Sequence, residues 1–435
     1  MHRSRRRHRG LLAIALTAFT ALAALTGIGV FTCAMAQDLP AGPASPTLPQ
    51  AFAAAWSRQP EAAALALRRE AAHAQQDAAQ GWTPEPPALA LLDKTDRWNH
   101  DMGAREREVG VAIPLWLPGE RARSGALANA EAAGVESRAL AAQLRLAGTL
   151  REAWWQWQRA QVEIDVARDQ LANARRLADD VAKRVKAGDL ARADQHQADG
   201  AVASAEAAVA RALGAEAGAA QQLRIASVGA VRTHARSPET TAEPEPLPPP
   251  DMAVPGDLAA HPVFRDLQDR AAVAEGVAAL GAVRSRANPE LALSTTRERD
   301  LRGERYDTSI TLALRIPLGA GSRHAARVAN AQAEATELQV QMQLERERIA
   351  AEQEASRLRV ASARAQQVAA ERRAQLAQES RGFFDKSFRL GETDFPTRLR
   401  IEAEAAEARR QAASARIEVA AAISQWRQAL GLLPE

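Results

Sequence analysis

Residues Ile310 to Leu318 read Ile-Thr-Leu-Ala-Leu-Arg-Ile-Pro-Leu. Side chains alternate across an extended chain, so Ile310, Leu312, Leu314, Ile316 and Leu318 share one face while Thr311, Ala313 and Arg315 share the other. A strand with one wholly apolar side must cover it with something. The pattern occurs a second time: Val109, Val111, Ile113 and Leu115 alternate with Glu108, Gly110, Ala112 and Pro114. Each copy contains Ile-Pro-Leu, starting at 113 and at 316, and each runs into a long Ala-rich tract. The offset between the motifs is 203 residues, and Gly188 and Gly391, which interrupt the two tracts, are separated by the same 203. Two landmarks at one spacing predict a tandem duplication.

Each copy of the strand carries the same surroundings. Pro40, Pro43, Pro46 and Pro49 mark residues 37–50 as an extended, disordered lead-in. Helical composition over 51–80 stops at Pro84, Pro86 and Pro87, and a short strand is expected at 88–92. A polar loop over 94–106 leads into the alternating strand 108–115. No proline occurs between Glu120 and Lys186, which predicts a helix of about 100 Å, far too long for a compact domain. Its later part has two apolar heptad seams. One runs Leu150, Trp157, Ile164, Leu171, Ala178, Val185 and the other Leu146, Ala153, Ala160, Ala167, Ala174, Val181. That is coiled-coil patterning, with alanine allowing close helix approach. A turn at Gly188 precedes a second helix to about residue 225.

Seven prolines between Ser237 and Pro255 identify 237–258 as a linker. The order then repeats: helix 261–286, strand 290–296, loop 297–307, strand 309–318 and helix 322–381. A turn at 389–393 leads to a helix over 394–430, with Asp394 as its N-cap and Pro396 in its first turn. The repeats are thus 51–236 and 259–435. The fold class is mainly α with a small transmembrane β part, built from a duplicated strand and long-helix unit.

The first residues predict export. Residues 2–9 hold five arginines and no acid, an apolar run follows from Leu11 to Phe31, and Ala34-Met35-Ala36 closes it. This is the pattern of a secretory signal peptide over 1–36, cleaved before Gln37. Taking its five arginines from the 56 basic residues leaves 51 against 53 acidic ones, so nothing points to nucleic acid. Cys33, the one cysteine, lies in the leader, so no disulfide holds the fold. No second apolar run is long enough for a membrane helix, so a membrane could be crossed only by strands.

The sequence lacks a phosphate-binding Walker loop, Gly-x-Ser-x-Gly, His-Glu-x-x-His and any cysteine pair. His73, His100, His196, His234, His261 and His324 have no ligand spacing. Trp154, Trp155 and Trp157 read as coil packing, and Glu345 to Arg348 as a solvated helix face. The expectation is a protein with no catalytic, cofactor or metal site.

The combination of duplicated order, Val109-Gly-Val-Ala-Ile-Pro-Leu with its counterpart at 310–318, and the two glycine turns resembles the TolC-type outer-membrane factors over nearly the whole exported chain. That resemblance implies a homotrimer whose four strands per chain form a shared twelve-stranded barrel, continued by helices as an α-barrel across the periplasm. It implies that Ile310, Leu312, Leu314, Ile316, Val109, Val111 and Ile113 face outer-membrane lipid, with Trp98, Trp116 and Tyr306 at its interfaces. The turns Ala187-Gly188-Asp189-Leu190 and Leu390-Gly391-Glu392-Thr393 become the periplasmic tips that dock an adaptor (a membrane fusion protein) linked to an inner-membrane pump. Asp194, six residues past Gly188, matches the acid that closes the pore in the family; its counterpart here is Thr397, with Glu392 and Asp394 nearby. The segment Ile113–Arg123 looks most like the subgroup paired with resistance-nodulation-division (RND) pumps, which export drugs or heavy-metal ions. The alternatives are a type I protein-secretion channel and a periplasmic coiled-coil scaffold or adaptor without a barrel.

Overall fold

The computed structural model describes residues 47–231, 244–249, 258–319 and 321–435, all within one unit, Ser45–Glu435. The expected signal peptide and the lead-in up to residue 46 lie outside the described residues, as does most of the Pro-rich segment. The elements are α1 (Leu48–Trp56), α2 (Pro60–Ala79), β1 (Ala88–Thr95), β2 (Arg105–Pro114), α3 (Glu120–Ala187) and α4 (Arg192–Ala226). The second half adds α5 (Pro262–Val283), β3 (Glu290–Arg299), β4 (Asp307–Arg315), α6 (Ser322–Arg389) and α7 (Phe395–Ala429). The duplication is quantitative. α3 and α6 are 68 residues each, and α4 and α7 are 35 each.

At 1.5 Å per residue α3 and α6 are each about 100 Å long. α3 is the axis of the packing. It forms a hairpin with α4 and also lies against α1, α2, α5 and α7, while α6 pairs with α7 and α5. None of its twelve seam residues is exposed. Burial is deepest around Leu150, Ala153, Trp154, Trp155 and Trp157, which meet Ala220 and Leu223 of α4 and Ile417, Ala420 and Ala421 of α7. Two indole N–H groups find acceptors there: Trp155 Nε1 donates to Ser424 Oγ at 2.8 Å and Trp157 Nε1 to Glu216 Oε1 at 3.0 Å. Trp154 and Trp157 pack edge to face, 5.7 Å between centroids. The tryptophan cluster is core packing, as read from the sequence, although only Trp157 of the three stands on a heptad seam.

At the start of the first repeat two helix boundaries differ from expectation. Residues 48–50, assigned to the lead-in, begin α1: Thr47 caps it, its N–H bonding Gln50 Oε1 at 3.0 Å, and Leu48 and Ala51 enter the tryptophan core. Pro49 is compatible because the first turn needs no N–H. The expected helix 51–80 is two helices, divided before Pro60.

Part of the linker is also a folded element. Glu245 is 5 % exposed; its carboxylate accepts from Arg151 Nε at 2.9 Å and Nη2 at 2.7 Å, and from Ser424 Oγ. Arg427 Nε lies 3.4 Å from Glu245 Oε1, and Arg427 Nη1 donates to the Pro246 carbonyl at 3.1 Å. A strap between the repeats is thus pinned across α3 and α7 by a buried carboxylate between two buried guanidiniums. Proline count conceals this, because prolines remove backbone donors but leave a side chain free to anchor.

The four strands form one antiparallel sheet in the order β1-β2-β3-β4, with β2 of the first repeat paired to β3 of the second. All four run longer toward the loop end than expected: β1 reaches Thr95, β2 starts at Arg105, β3 reaches Arg299 and β4 starts at Asp307. β4 ends at Arg315, so Ile316 and Leu318 lie past the ladder, where Pro317 offers no N–H.

Candidate functional site

The register assembles one face of the sheet in rows. Leu91, Val109, Thr295 and Ile310 stand side by side; next come Leu89, Val111, Leu293 and Leu312, then Ile113, Leu291 and Leu314. This apolar face is uncovered by the chain itself. Ile310 is 76 % exposed, Leu312 70 %, Leu91 71 % and Leu293 55 %. Val109, Val111, Leu314 and Ile316 are exposed too, and Ile113 is half-buried. The opposite face is small or polar: Ala88, Ala112, Ala292 and Ala313 form one row, and Ala90, Gly110, Ser294 and Thr311 the next. The outer edges of β1 and β4 have no partner strand among the described residues.

Toward the β1–β2 and β3–β4 loops both faces become charged, with opposite sign. On the apolar side the rows continue as Asp93, Arg107, Arg297, Thr308 and then Thr95, Arg105, Arg299. On the other side lie Leu92, Glu108, Thr296, Ser309 and then Lys94, Glu106, Glu298, Asp307. Trp98 stands 90 % exposed in the first loop. Tyr306 is stacked under Arg297 and Arg299, whose guanidinium carbons lie 4.6 and 4.9 Å from the ring centroid. Trp116, at the opposite end, donates to the Gly81 carbonyl at 3.2 Å.

At the far end of the helices the two glycine turns lie together. Gly188 (φ 88°) and Gly391 (φ 78°) are left-handed, and the amides after them bond back to the Arg184 and Ser387 carbonyls at 2.9 and 3.0 Å. The two turns share one helix-ending geometry. Val181, Ala198, Phe388 and Phe395 form a core between them, and Arg184 lies over the Phe388 ring at 4.6 Å. Ala187, Gly188, Asp189, Leu390, Gly391 and Glu392 are exposed, while Leu190 and Thr393 are half-buried.

The two acids near the tips cap helices differently. Asp194, half-buried, accepts from the Ala191 amide at 3.0 Å, reaching back from the first turn of α4. Asp394 is itself the N-cap of α7, accepting from the Thr397 amide at 3.1 Å. The hydrogen bonds from Thr397 hold the Asp394 carboxyl below its ordinary pKa. Among the described residues no group of three or more His, Cys, Asp or Glu could hold a metal ion. No described helix is long and apolar enough to cross a membrane.

No protein-family model and no curated protein matches the sequence. Solved structures match the fold over most of its length. VceC, an outer membrane protein of Vibrio cholerae, superposes with a TM-score of 0.70 at 16 % identity, over 89 % of this chain and 97 % of that one. CusC, whose structures concern folding and transmembrane channel formation, gives 0.70 at 15 % identity over 89 % and 92 %. The MtrE outer membrane channel of Neisseria gonorrhoeae, in its open state, gives 0.69 at 15 % identity over 89 % and 90 %.

The chain has the TolC-type outer-membrane channel fold. The duplicated strand and long-helix unit expected from sequence is what that fold requires. Within the TolC-type frame, two groups of residues escape sequence reasoning. The buried Arg151, Glu245 and Arg427 have no local pattern, being brought together from three distant segments. The charged rows do have one. Arg105-Glu-Arg-Glu108 and Arg297-Glu-Arg299 carry the same period of two as the apolar strands beside them, so each strand segregates its arginines from its acids.

Proposed function

We infer that the chain is an outer-membrane duct, the exit component of a tripartite efflux system. The observation that carries this is the exposed apolar sheet face bounded by two unpaired edges. In water such a sheet invites aggregation, whereas in lipid the face is matched and only the open edges are forbidden. Closure by further copies removes those edges. Three chains of four strands make a barrel of twelve, with Val109, Val111, Ile113, Ile310, Leu312, Leu314 and Ile316 toward lipid and the alanine and acidic rows toward the lumen.

The protein accordingly acts as a homotrimer in the outer membrane, with its long helices forming a periplasmic conduit. A cleaved signal peptide over 1–36 takes it there. The exposed turns at 187–190 and 390–393 dock a periplasmic adaptor that connects to an inner-membrane pump of the RND type, carrying drugs or heavy-metal ions. Asp194 lies beside the first tip, where a carboxylate from each of three copies narrows the pore. The channel itself is passive, and the pump supplies the energy.

Cell fractionation followed by gel migration of unheated and heated outer-membrane samples tests this reading. A band at trimer mass that collapses to monomer only on heating supports it. A soluble periplasmic monomer or dimer overturns it in favour of a coiled-coil scaffold.

A further inference from the structure

The arginine rows at the loop end of the apolar face have no counter-charge adequate to them. Arg105 stands directly opposite Arg299 across the β2–β3 ladder, and Arg107 directly opposite Arg297. Like charges so placed destabilise a sheet. Asp93 is the one carboxylate in these two rows, and it lies 3.6 Å from both Arg105 Nε and Arg107 Nε, outside good hydrogen-bond distance. Arg105 Nε is buried and has no hydrogen-bond partner among the described residues. Arg299 spends its Nε on the Gly103 carbonyl at 3.0 Å, and Tyr306 holds Arg297 and Arg299 from below. The sheet therefore keeps four guanidiniums within one or two strand spacings, on the central strands of a single chain.

Their position says what they meet. They lie on the same side as Leu91, Val109 and Ile310, Arg107 and Arg297 one row beyond the last apolar one and Arg105 and Arg299 two rows beyond it, at the end opposite the helices. On the membrane reading above, on which this inference rests, that is the outer rim of the lipid-facing band. A molecule bound there has acyl chains along the apolar rows and an anionic group among the arginines. The acids at the same height, Glu106, Glu298 and Asp307, point to the opposite face and do not repel it.

We propose that Arg105, Arg107, Arg297 and Arg299 form a clamp for the phosphate groups of a phosphorylated glycolipid in the outer leaflet. Guanidinium pairs match phosphate oxygens two at a time, and a phosphate between opposed arginines converts a repulsion into two charge-assisted contacts. The clamp fixes the depth of the barrel and seats lipid against β2 and β3.

The test uses full-length protein purified from outer membranes in mild detergent and titrated with bis-phosphorylated lipid A, with bound lipid counted by native mass spectrometry. The pair R107Q/R297Q is expected to weaken binding about 30-fold. The pair R107K/R297K should restore most of it, and lipid A stripped of phosphate should bind wild type as weakly as the glutamine pair. R105Q/R299Q gives an independent measurement should the first pair fold poorly. Equal affinity in wild type and both glutamine pairs overturns the clamp. Displacement of the lipid by equimolar inorganic phosphate overturns the lipid assignment, since it makes the site one for free anions. Recovery of wild type outside the outer membrane, seen before any lipid is added, overturns the channel reading instead.

Discussion

Replacing Leu314 by arginine and, separately, Ala313 by arginine puts the same charge on opposite faces of one strand. Ile310 to Leu318 spans five outward positions; with a rise of about 3.3 Å per residue and a tilt near 40°, each step of two residues is about 5 Å of depth. Leu314 is the third of the five; it stands in the last apolar row of the ladder with Ile113 and Leu291, and Ile316 and Leu318 carry the same face on past β4. An arginine there costs about 2–4 kcal/mol per chain, and about 6–12 kcal/mol for a barrel holding three copies. At about 3 kcal/mol per chain the ratio of folded to unfolded protein falls roughly 150-fold for each chain. Ala313 lies in a row with Ala88, Ala112 and Ala292, which leaves room, and Arg315, also on that face, already has a side chain 81 % exposed. A lumen-facing arginine at 313 should change stability by about 0.5 kcal/mol or less. The assay is urea-dependent folding into liposomes, read from the unheated trimer band. If Ala313→Arg proves as damaging as Leu314→Arg, the assignment of faces is wrong.

Three further perturbations address the helical part. Glu245→Gln removes the charge between Arg151 and Arg427, whose side chains are 3 % and 2 % exposed, and should cost about 3 kcal/mol; an unshifted denaturant midpoint would contradict the strap's role. Burial holds the His261 imidazole below its ordinary pKa of 6.5, the nearby Glu345 opposing and Arg348 reinforcing the shift. The unfolded chain then binds the extra proton, so stability is full above about pH 6.5 and declines as pH falls toward the lower folded value; His261→Gln should flatten that decline in unfolding measured from pH 7.5 to 5. At Gly188 and Gly391 no described atom beyond the glycine and its two chain neighbours lies within 4 Å of the point where an added methyl group would sit, so alanine there costs only the left-handed backbone, about 1–2 kcal/mol each; hydrogen exchange at the ends of α3 and α6 should accelerate, and unchanged protection would refute this.

Much of the architecture is legible in the sequence because it is periodic. The apolar strands, the heptad seams around Leu150 and Trp157, and the glycine turns each repeat at a spacing set by backbone geometry. A duplication makes each of them readable twice. Strand ends are underestimated where apolar alternation gives way to charge, as at Arg105 and Arg299, since a polar run reads as loop although its period of two persists. The start of α1 is hidden by Pro49, because proline ends a helix in mid-course but suits a first turn. The strap at Glu245 is illegible for a different reason. Its partners, Arg151 and Arg427, are set by tertiary packing, and no window along the chain contains them together. The two turns are located by their glycines, but the surface they would offer a partner is completed only by further copies and has no signature along one chain.

In the proposed trimer the free edge of β1 in one copy pairs with the free edge of β4 in the next. With Cys33, the sole cysteine, replaced by serine, single cysteines at Leu89 or Leu91 can be combined with single cysteines at Ile310, Leu312 or Leu314. Under oxidation in intact outer membranes, one register of these pairs should yield a covalent band that stops at three chains and survives heating. Absence of cross-linked trimer in every register, or a ladder continuing past three chains, would contradict the closed barrel.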